Sequence, residues 1–235
     1  MPGPRHTIPV TVLAAALVAA LPNAASAAEL PAPGFEIGAR VGYAFSAGNI
    51  GAVANGTDNN LSDFVSGQWP LWLDVGYRLT PSFYLGGLFQ YGFGVVNEDQ
   101  QDGCRNANVN CSASDIRVGV MGRYQFAVGG PLLPWLGLGV GYEWASFSVH
   151  QSVLGNTDTD VTRSGFEFAN FQAGADYYLA PRVTVAPFIS VSLGQYRSAS
   201  TTTTAGMTTT TTDEDLAKTS LHEWILIGLR FGFMP

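Results

Sequence analysis

The chain has 235 residues and a formal net charge of −7 at pH 7, from 11 basic and 18 acidic side chains. Only 12% of its residues are charged, whereas 46% are hydrophobic and 12% are aromatic. This acidic balance excludes nucleic acid as a favoured partner, because binding to phosphates depends on basic side chains. Beyond the N-terminal segment no apolar stretch approaches the roughly 20 residues of a transmembrane helix. A membrane protein of this composition would therefore have to be a closed barrel, the other structure that satisfies its backbone in lipid.

The first 27 residues have the features of a secretory signal peptide. Arg5 is followed by an apolar run from Val10 to Leu21, and Ala25, Ser26 and Ala27 form a small-residue cleavage site. The run is too short to span a bilayer, so we expect cleavage after Ala27. Residues 28–235 then form a single domain, and the loss of Arg5 changes the net charge from −7 to −8.

Eight later segments alternate between apolar and polar residues, which predicts eight β-strands. Successive side chains of a strand point to opposite faces, so this alternation gives each strand one apolar face. Each segment exceeds the roughly 9 to 11 residues that cross a membrane with tilt. The segments lie near 35–46, 69–80, 82–96, 114–126, 134–148, 164–179, 182–197 and 221–234.

The connections between these segments alternate in length. Short turns rich in Pro and Gly lie at 80–82, 127–131 and 180–182, and long polar connections lie at 47–68, 97–113, 150–163 and 198–220. Short periplasmic turns and long extracellular loops are typical of outer-membrane barrels. The sequence therefore predicts an all-β fold, an eight-stranded antiparallel up-and-down transmembrane β-barrel with both termini on the periplasmic side.

The two faces of the predicted strands differ sharply in charge. The apolar face contains no charged residue, as expected for a surface in lipid. A barrel of eight strands is only wide enough for side chains to fill, so we expect the charges of the opposite face to pair inside it. A conducting path and a ligand site are the alternatives for this interior. The predicted ion-pair network consists of Glu36, Arg40, Asp74, Arg78, Arg117, Arg123, Glu143, Asp176 and Arg230.

Two of the long connections contain further features. Cys104 and Cys111 lie in one polar segment of an exported chain, which indicates a local disulfide rather than a metal site. The run from Ser200 to Asp213 is mostly threonine. Threonine favours extended structure, but without an apolar partner row we expect a mobile loop rather than an ordered hairpin.

The last strand alternates throughout, with Ile225, Ile227, Leu229, Phe231 and Phe233 on one face. Together with the signal peptide, the eight strands and the Pro or Gly turns, its ending Ile-Gly-Leu-Arg-Phe-Gly-Phe resembles the small eight-stranded bacterial outer-membrane β-barrels. That superfamily includes OmpX, the opacity proteins and the OmpA membrane domain. The resemblance implies an insertion signal, formed here by Ile227, Leu229, Phe231 and Phe233, that the barrel-assembly machinery recognises. Met234 and Pro235 follow Phe233, which is a departure from the pattern.

The sequence gives little support for catalysis. Some barrels similar to this one are lipid A deacylases or acyltransferases, and such a site would need His150 or His222 beside a serine and an acid. Neighbours in sequence do not make a catalytic triad, so we interpret both histidines as polar residues at the barrel rim. We predict no catalytic residue, no metal site and no cofactor.

The predicted extracellular loops are acidic. They contain ten acidic and four basic residues. We interpret the run Asp213-Glu214-Asp215 as solvated rather than as an ion site. The acidic residues are Asp58, Asp63, Glu98, Asp99, Asp102, Asp158, Asp160, Asp213, Glu214 and Asp215, and the basic ones are Arg105, Arg163, Arg197 and Lys218.

These features together predict a monomeric, non-enzymatic barrel in the outer membrane of a Gram-negative bacterium. Its lumen is expected to be plugged, and its role structural or one of surface interaction, in contact with outer-membrane lipid and lipopolysaccharide. The first alternative is a narrow pore for small solutes, and the second is an enzyme that modifies lipid A.

Overall fold

The computed structural model describes residues 30–53, 56–97, 102–106, 108–127, 131–152 and 156–235. The predicted signal peptide and its cleavage site lie outside these residues. Within the described ranges, no helix is both long and apolar enough to cross a membrane.

Nine antiparallel strands make up nearly all of the described structure. They are β1 (Gly34–Gly48), β2 (Val65–Arg78), β3 (Phe83–Val96), β4 (Val109–Gln125), β5 (Leu132–Gln151), β6 (Thr157–Ala180), β7 (Val183–Ala205), β8 (Thr208–Asp215) and β9 (Leu221–Phe233). Two single turns of 3₁₀ helix, Leu61–Asp63 and Asp102–Arg105, lie in the first two long connections.

Eight of these strands close into a ring. The strands β1 to β7 pair with one another in sequence order. The ring then closes through β9, which pairs with β7 on one side and with β1 on the other. At the closing seam, Arg40 of β1 is the register partner of Arg230 of β9. The predicted all-β, eight-stranded antiparallel barrel is confirmed. It has a turn side, where short connections join β2 to β3, β4 to β5 and β6 to β7, and a loop side at the other end.

The threonine-rich segment forms a hairpin, so the expectation of a mobile loop rather than an ordered hairpin was wrong. β7 continues past the ring to Ala205, and β8 pairs back on it, with Thr201 opposite Thr212. Gly206 has a φ of 60° at the turn, a conformation that glycine adopts without strain. The other edge of this extension pairs with β6, where Thr157 lies opposite Ala205. Two flanking strands thus provide the backbone partners that an isolated threonine run lacks.

The strands are also longer on the loop side than the alternation predicts. β6 begins at Thr157 rather than near 164, and β5 runs to Gln151 rather than 148. These ends pair with each other, with His150 opposite Asp158. Polar side chains on both faces give no alternation there, although the backbone ladder continues.

The disulfide between Cys104 and Cys111 is present, as the sequence predicts. It joins the second long connection to the start of β4, with the two Cα atoms 5.6 Å apart. It therefore closes a short loop at the loop side of the barrel.

The two faces of the ring have opposite chemistry. Val120 on the outer surface is 57% exposed, whereas Asp74 on the inner surface is fully buried. The four residues of the predicted insertion signal, Ile227, Leu229, Phe231 and Phe233, are all exposed on the outer face of β9. Their role in assembly stays a prediction. A soluble ligand-carrying barrel would show the reverse arrangement, with apolar residues inside.

We expect the substitution Val120→Arg to lower the free energy of unfolding by about 2 to 4 kcal/mol, because it puts a charge in the apolar band that faces lipid. Val120→Leu is the matched control and should cost less than about 1.5 kcal/mol. Denaturant unfolding in lipid vesicles measures both changes. If Val120→Arg is tolerated as well as the control, the face assigned to β4 is wrong.

Candidate functional site

The interior of the ring brings together all nine charged residues of the predicted network. Each of them is buried, and each has an oppositely charged partner within 4 Å. Their contacts fall into two groups at different heights. The turn-side cluster consists of Glu36, Arg40, Asp74, Arg78, Arg123, Asp176 and Arg230. The loop-side cluster consists of Asp115, Arg117, Glu143, Glu167 and His222.

Glu36 of β1 is the centre of the turn-side cluster. Arg78 Nη2 lies 2.6 Å from its Oε2 atom, and Arg230 Nη2 lies 2.7 Å from its Oε1 atom. Arg123 of β4 also pairs with Oε1. One carboxylate thus binds guanidinium groups from three other strands through short charge-assisted hydrogen bonds.

Asp74 of β2 is the second acceptor of this cluster. Arg40 Nε donates to its Oδ1 atom over 2.8 Å, and Arg230 Nη2 donates to its Oδ2 atom over 3.1 Å. Arg40 Nη1 also donates to Gln172 Oε1 over 2.8 Å. Because β9 and β7 separate β1 from β6 in the ring, this last contact reaches across the lumen. The Arg40 guanidinium carbon lies 4.3 Å from the centroid of the Trp72 ring, a cation–π contact.

The aromatic wall of this cluster depends on glycine. Tyr84 lies so close to the barrel wall that a Cβ atom at Gly86 would collide with its hydroxyl. The Arg123 guanidinium carbon lies 4.9 Å from the Tyr84 ring centroid. Small residues on the inner face therefore make room for the rings that pack against the arginines.

Arg117 of β4 is the centre of the loop-side cluster. Its nitrogens lie 3.0 Å from Asp115 Oδ2, 3.5 Å from Glu143 Oε1 and 3.4 Å from Glu167 Oε1. It also donates to the Ser192 hydroxyl over 3.0 Å. One arginine is thus surrounded by three carboxylates.

Glu143 binds three further side chains. Tyr196 donates to its Oε1 atom over 2.7 Å, Trp224 Nε1 donates to the same atom over 3.3 Å, and His222 Nε2 lies 3.0 Å from Oε2. The His222 ring stacks on Tyr196 with centroids 4.0 Å apart and is only 1% exposed. The interpretation of His222 as a rim residue was wrong, because this pairing holds it inside the barrel.

Apolar side chains also pack inside the barrel. Leu88, Met121 and Phe188 are buried and belong to one hydrophobic cluster. Along β4, Met121 lies between Arg123 of the turn-side cluster and Arg117 of the loop-side cluster. Among the described residues, no ion pair joins a member of one cluster to a member of the other, so the two clusters are separate networks.

Besides His222, the sequence pattern missed two members of the loop-side cluster, Asp115 and Glu167. Asp115 lies at the end of the predicted strand. It is two residues before the inward Arg117, so alternation places it on the same inner face of β4. Glu167 has the wrong parity for the inner face of β6. A register shift between Glu167 and Ala169 reverses the alternation there, so that Glu167 and Asn170 both point inward. Asp115 was therefore detectable, whereas the bulge at Glu167 was not.

The other histidine, His150, lies outside this interior. It is exposed and pairs with Asp158 on the adjacent strand. No group of three or more His, Cys, Asp or Glu side chains placed to hold a metal ion occurs among the described residues. Of the predicted acidic loop residues, Glu98 and Asp99 lie outside those residues.

Asp58 joins the first and last long connections. Its Oδ2 atom lies 2.9 Å from Lys218 Nζ and accepts a hydrogen bond from the Ser220 hydroxyl over 2.7 Å. These two bonds lower the pKa of Asp58 from 3.8 to about 2, and the bond from Lys218 has the larger effect. A lowered carboxyl pKa stabilises the folded state above the pKa of the unfolded chain, and this stabilisation is lost as the pH falls through about 2. The contact therefore holds the loops together at neutral pH.

Comparisons with known proteins agree with this barrel. The sequence matches the family model described as an outer membrane protein beta-barrel domain over residues 11–222. No curated protein matches the chain at a significant level. The solved structure of a major outer membrane protein from Thermus thermophilus is 13% identical with a TM-score of 0.60, covering 86% of this chain and 99% of that chain.

Two further solved structures have lower TM-scores. Neisserial surface protein A is 12% identical with a TM-score of 0.46, covering 87% of this chain and 100% of that chain. Ail of Yersinia pestis is 13% identical with a TM-score of 0.41, covering 85% of this chain and 99% of that chain. The likeness to the Thermus protein shows the shared barrel fold, and the family match spans most of this chain. The protein therefore belongs to the outer membrane protein beta-barrel domain family and is located in the outer membrane of a Gram-negative cell.

Proposed function

We propose that this barrel is a non-conducting, non-enzymatic protein of the outer membrane, with a structural or surface-interaction role. Its charged interior closes the lumen, and its acidic loops face the outside of the cell. Outer-membrane lipid and lipopolysaccharide surround the monomer, and the barrel-assembly machinery inserts it through the C-terminal strand. The acidic loops would present a negatively charged surface to the environment.

The observation that carries this proposal is the set of contacts that cross the lumen at both levels. In the turn-side cluster, Arg123 of β4 reaches Glu36 of β1. In the loop-side cluster, Glu143 of β5 accepts a hydrogen bond from Trp224 of β9. Each of these pairs joins strands that are three positions apart in the ring. A solute path would have to break such contacts, and an unpaired buried charge costs several kcal/mol.

The alternative of a narrow pore has one observation in its favour. The Nε and Nη1 atoms of Arg123 are buried and have no hydrogen-bond partner. A hydrated lumen would satisfy such donors. Ion conductance therefore separates the closed barrel from the pore.

We expect the wild-type protein to show no steady conductance in planar lipid bilayers. The substitution Asp74→Ala should lower the free energy of unfolding by about 3 to 5 kcal/mol, because it leaves Arg40 without its carboxylate partner and removes one of the three carboxylates that pair with Arg230. It should also raise the conductance. Asp160→Ala removes an exposed carboxylate and is the matched control, expected to change stability by no more than about 0.5 kcal/mol.

Steady conductance of the wild-type protein would contradict the closed lumen. The pore would then replace it, most directly if Asp74→Ala changed ion selectivity and left stability unchanged.

The orientation is tested by labelling of single cysteines in intact cells. A cysteine at Thr209, in the hairpin on the loop side, should react with a membrane-impermeant reagent, whereas one at Pro81 on the turn side should not. The native Cys104 and Cys111 form a disulfide and should contribute no signal. Labelling at Pro81 with protection at Thr209 would invert the proposed orientation.

The absence of enzymatic activity on lipid A is tested by mass spectrometry of lipid A from cells with and without the protein. Identical acylation patterns are expected, because His150 and His222 each pair with a carboxylate on another strand instead of activating a serine. A loss or gain of one acyl chain that depends on the protein would show that the barrel is an enzyme.

A further inference from the structure

The loop side of the barrel interior contains a cavity of about 200 Å³. Strands of the ring form its sides, and Ile50, Leu61 and Phe64 of the first long connection also line it. Ile50 and Leu61 are each only 4% exposed, so this connection folds inward at the mouth of the barrel. A concave and mostly apolar pocket is the usual form of a small-molecule site.

Aromatic side chains supply much of the cavity wall. The Phe64 and Phe147 rings meet edge to face, with centroids 6.0 Å apart. Tyr196 and Trp224 also line the cavity, but their polar atoms are bonded elsewhere. The Tyr196 hydroxyl and Trp224 Nε1 both donate to Glu143 Oε1, over 2.7 Å and 3.3 Å. Their rings therefore present mainly carbon atoms to the cavity.

The buried polar side chains of the wall, Gln68 and Asp115, are closed to a ligand. Asp115 Oδ2 already accepts bonds from Gln68 Nε2 over 3.2 Å and from Gln90 Nε2 over 3.1 Å. Asp115 Oδ1 and Gln68 Oε1 have almost no exposed area. Gln68 Oε1 packs so closely against Gly92 that a Cβ atom there would overlap it. This end of the cavity therefore offers no polar anchor.

The charges around the cavity favour neither a cation nor an anion. Arg163 lines the wall, where its Nη1 atom donates to the Ile50 carbonyl over 3.2 Å, and it would repel a cation. The adjacent loop-side cluster has three carboxylates for one arginine, which opposes an anion. A charged ligand would also lose its hydration on entering apolar walls.

We propose that this cavity binds one small uncharged apolar molecule, about the size of a single aromatic ring. A dry apolar cavity of about 150 Å³ holds benzene, so about 200 Å³ accommodates one ring and a short side chain. The atoms of an empty apolar wall lack contact partners, and such a ligand supplies them. Because the strands of the ring are continuously paired, the ligand enters from the loop side. Binding therefore needs no path through the closed lumen.

Four probes of nearly the same shape test the ligand class. Ethylbenzene is apolar, benzyl alcohol is polar but uncharged, benzylammonium is a cation and benzoate is an anion. Affinities are measured from amide chemical shifts of the protein in lipid nanodiscs, followed at Gly94 and Ser114, which line the cavity. They refer to the free concentration in water, so that partition into the lipid does not enter.

We expect ethylbenzene to bind at least about tenfold more tightly than benzylammonium and benzoate, with benzyl alcohol between them. The physical reason is that a polar or charged group buried without a partner loses its hydration and gains no bond in return.

Substitutions at the cavity test the location. Ala145→Leu fills the cavity from β5 and should abolish the shifts caused by ethylbenzene. Ala113→Leu fills it from β4 and serves the same purpose if Ala145→Leu fails to fold. Ala39→Leu makes the same change on the outer face of β1, where its register partners Leu73 and Phe231 are exposed. This control should leave the affinity for ethylbenzene within about twofold of the wild type, because the cavity is untouched.

Tightest binding of benzoate would assign the site to an anion held by Arg163, and tightest binding of benzylammonium would assign it to a cation. Either result would overturn the proposal. The same holds if ethylbenzene causes no shifts up to its solubility limit in water, or if its shifts persist in the filled variants as they do in Ala39→Leu.

Discussion

The constraint on which the structure depends is the pairing of charges inside a barrel too narrow to hydrate them freely. Eight strands enclose a space that side chains fill, and every arginine placed there must find an acceptor. Glu36 and Asp74 meet this need by each binding more than one guanidinium group, and Arg230 joins the two. Because the partners come from different strands, the same bonds that satisfy the charges also set the relative positions of β1, β2, β4 and β9.

The outer surface obeys the opposite rule. Lipid offers no partner for a polar group, so the outward residues of each strand are apolar and the backbone is satisfied by the closed ring. Strand alternation enforces both rules at once, since each step along the chain changes the face. A bulge is the one local device that exchanges the faces. In β6 the bulge near Ala169 turns Glu167 inward, where its partners are Arg117 and Asn170.

Most of the barrel follows from alternation and loop length, and so do the nine charged residues first assigned to its interior. Alternation does not predict contacts between residues that are distant in the sequence. Glu167 is hidden by a bulge, and His222 is buried because Glu143 and Tyr196 come from other strands to meet it. The threonine hairpin depends on β6 as a neighbour, which a pattern within one segment cannot reveal. Local sequence thus predicts the faces, whereas partners distant in the chain decide these three cases.

Charge is divided unequally between the two clusters inside the barrel. The turn side has four arginines for three carboxylates, whereas the loop side has one arginine for three carboxylates, and no ion pair among the described residues joins the two sides. Moving one arginine to the loop side would leave three charges of each sign on the turn side, but still only two arginines for three carboxylates on the loop side. The loop side therefore depends on donors other than arginine, and His222, Tyr196 and Trp224 supply them to Glu143.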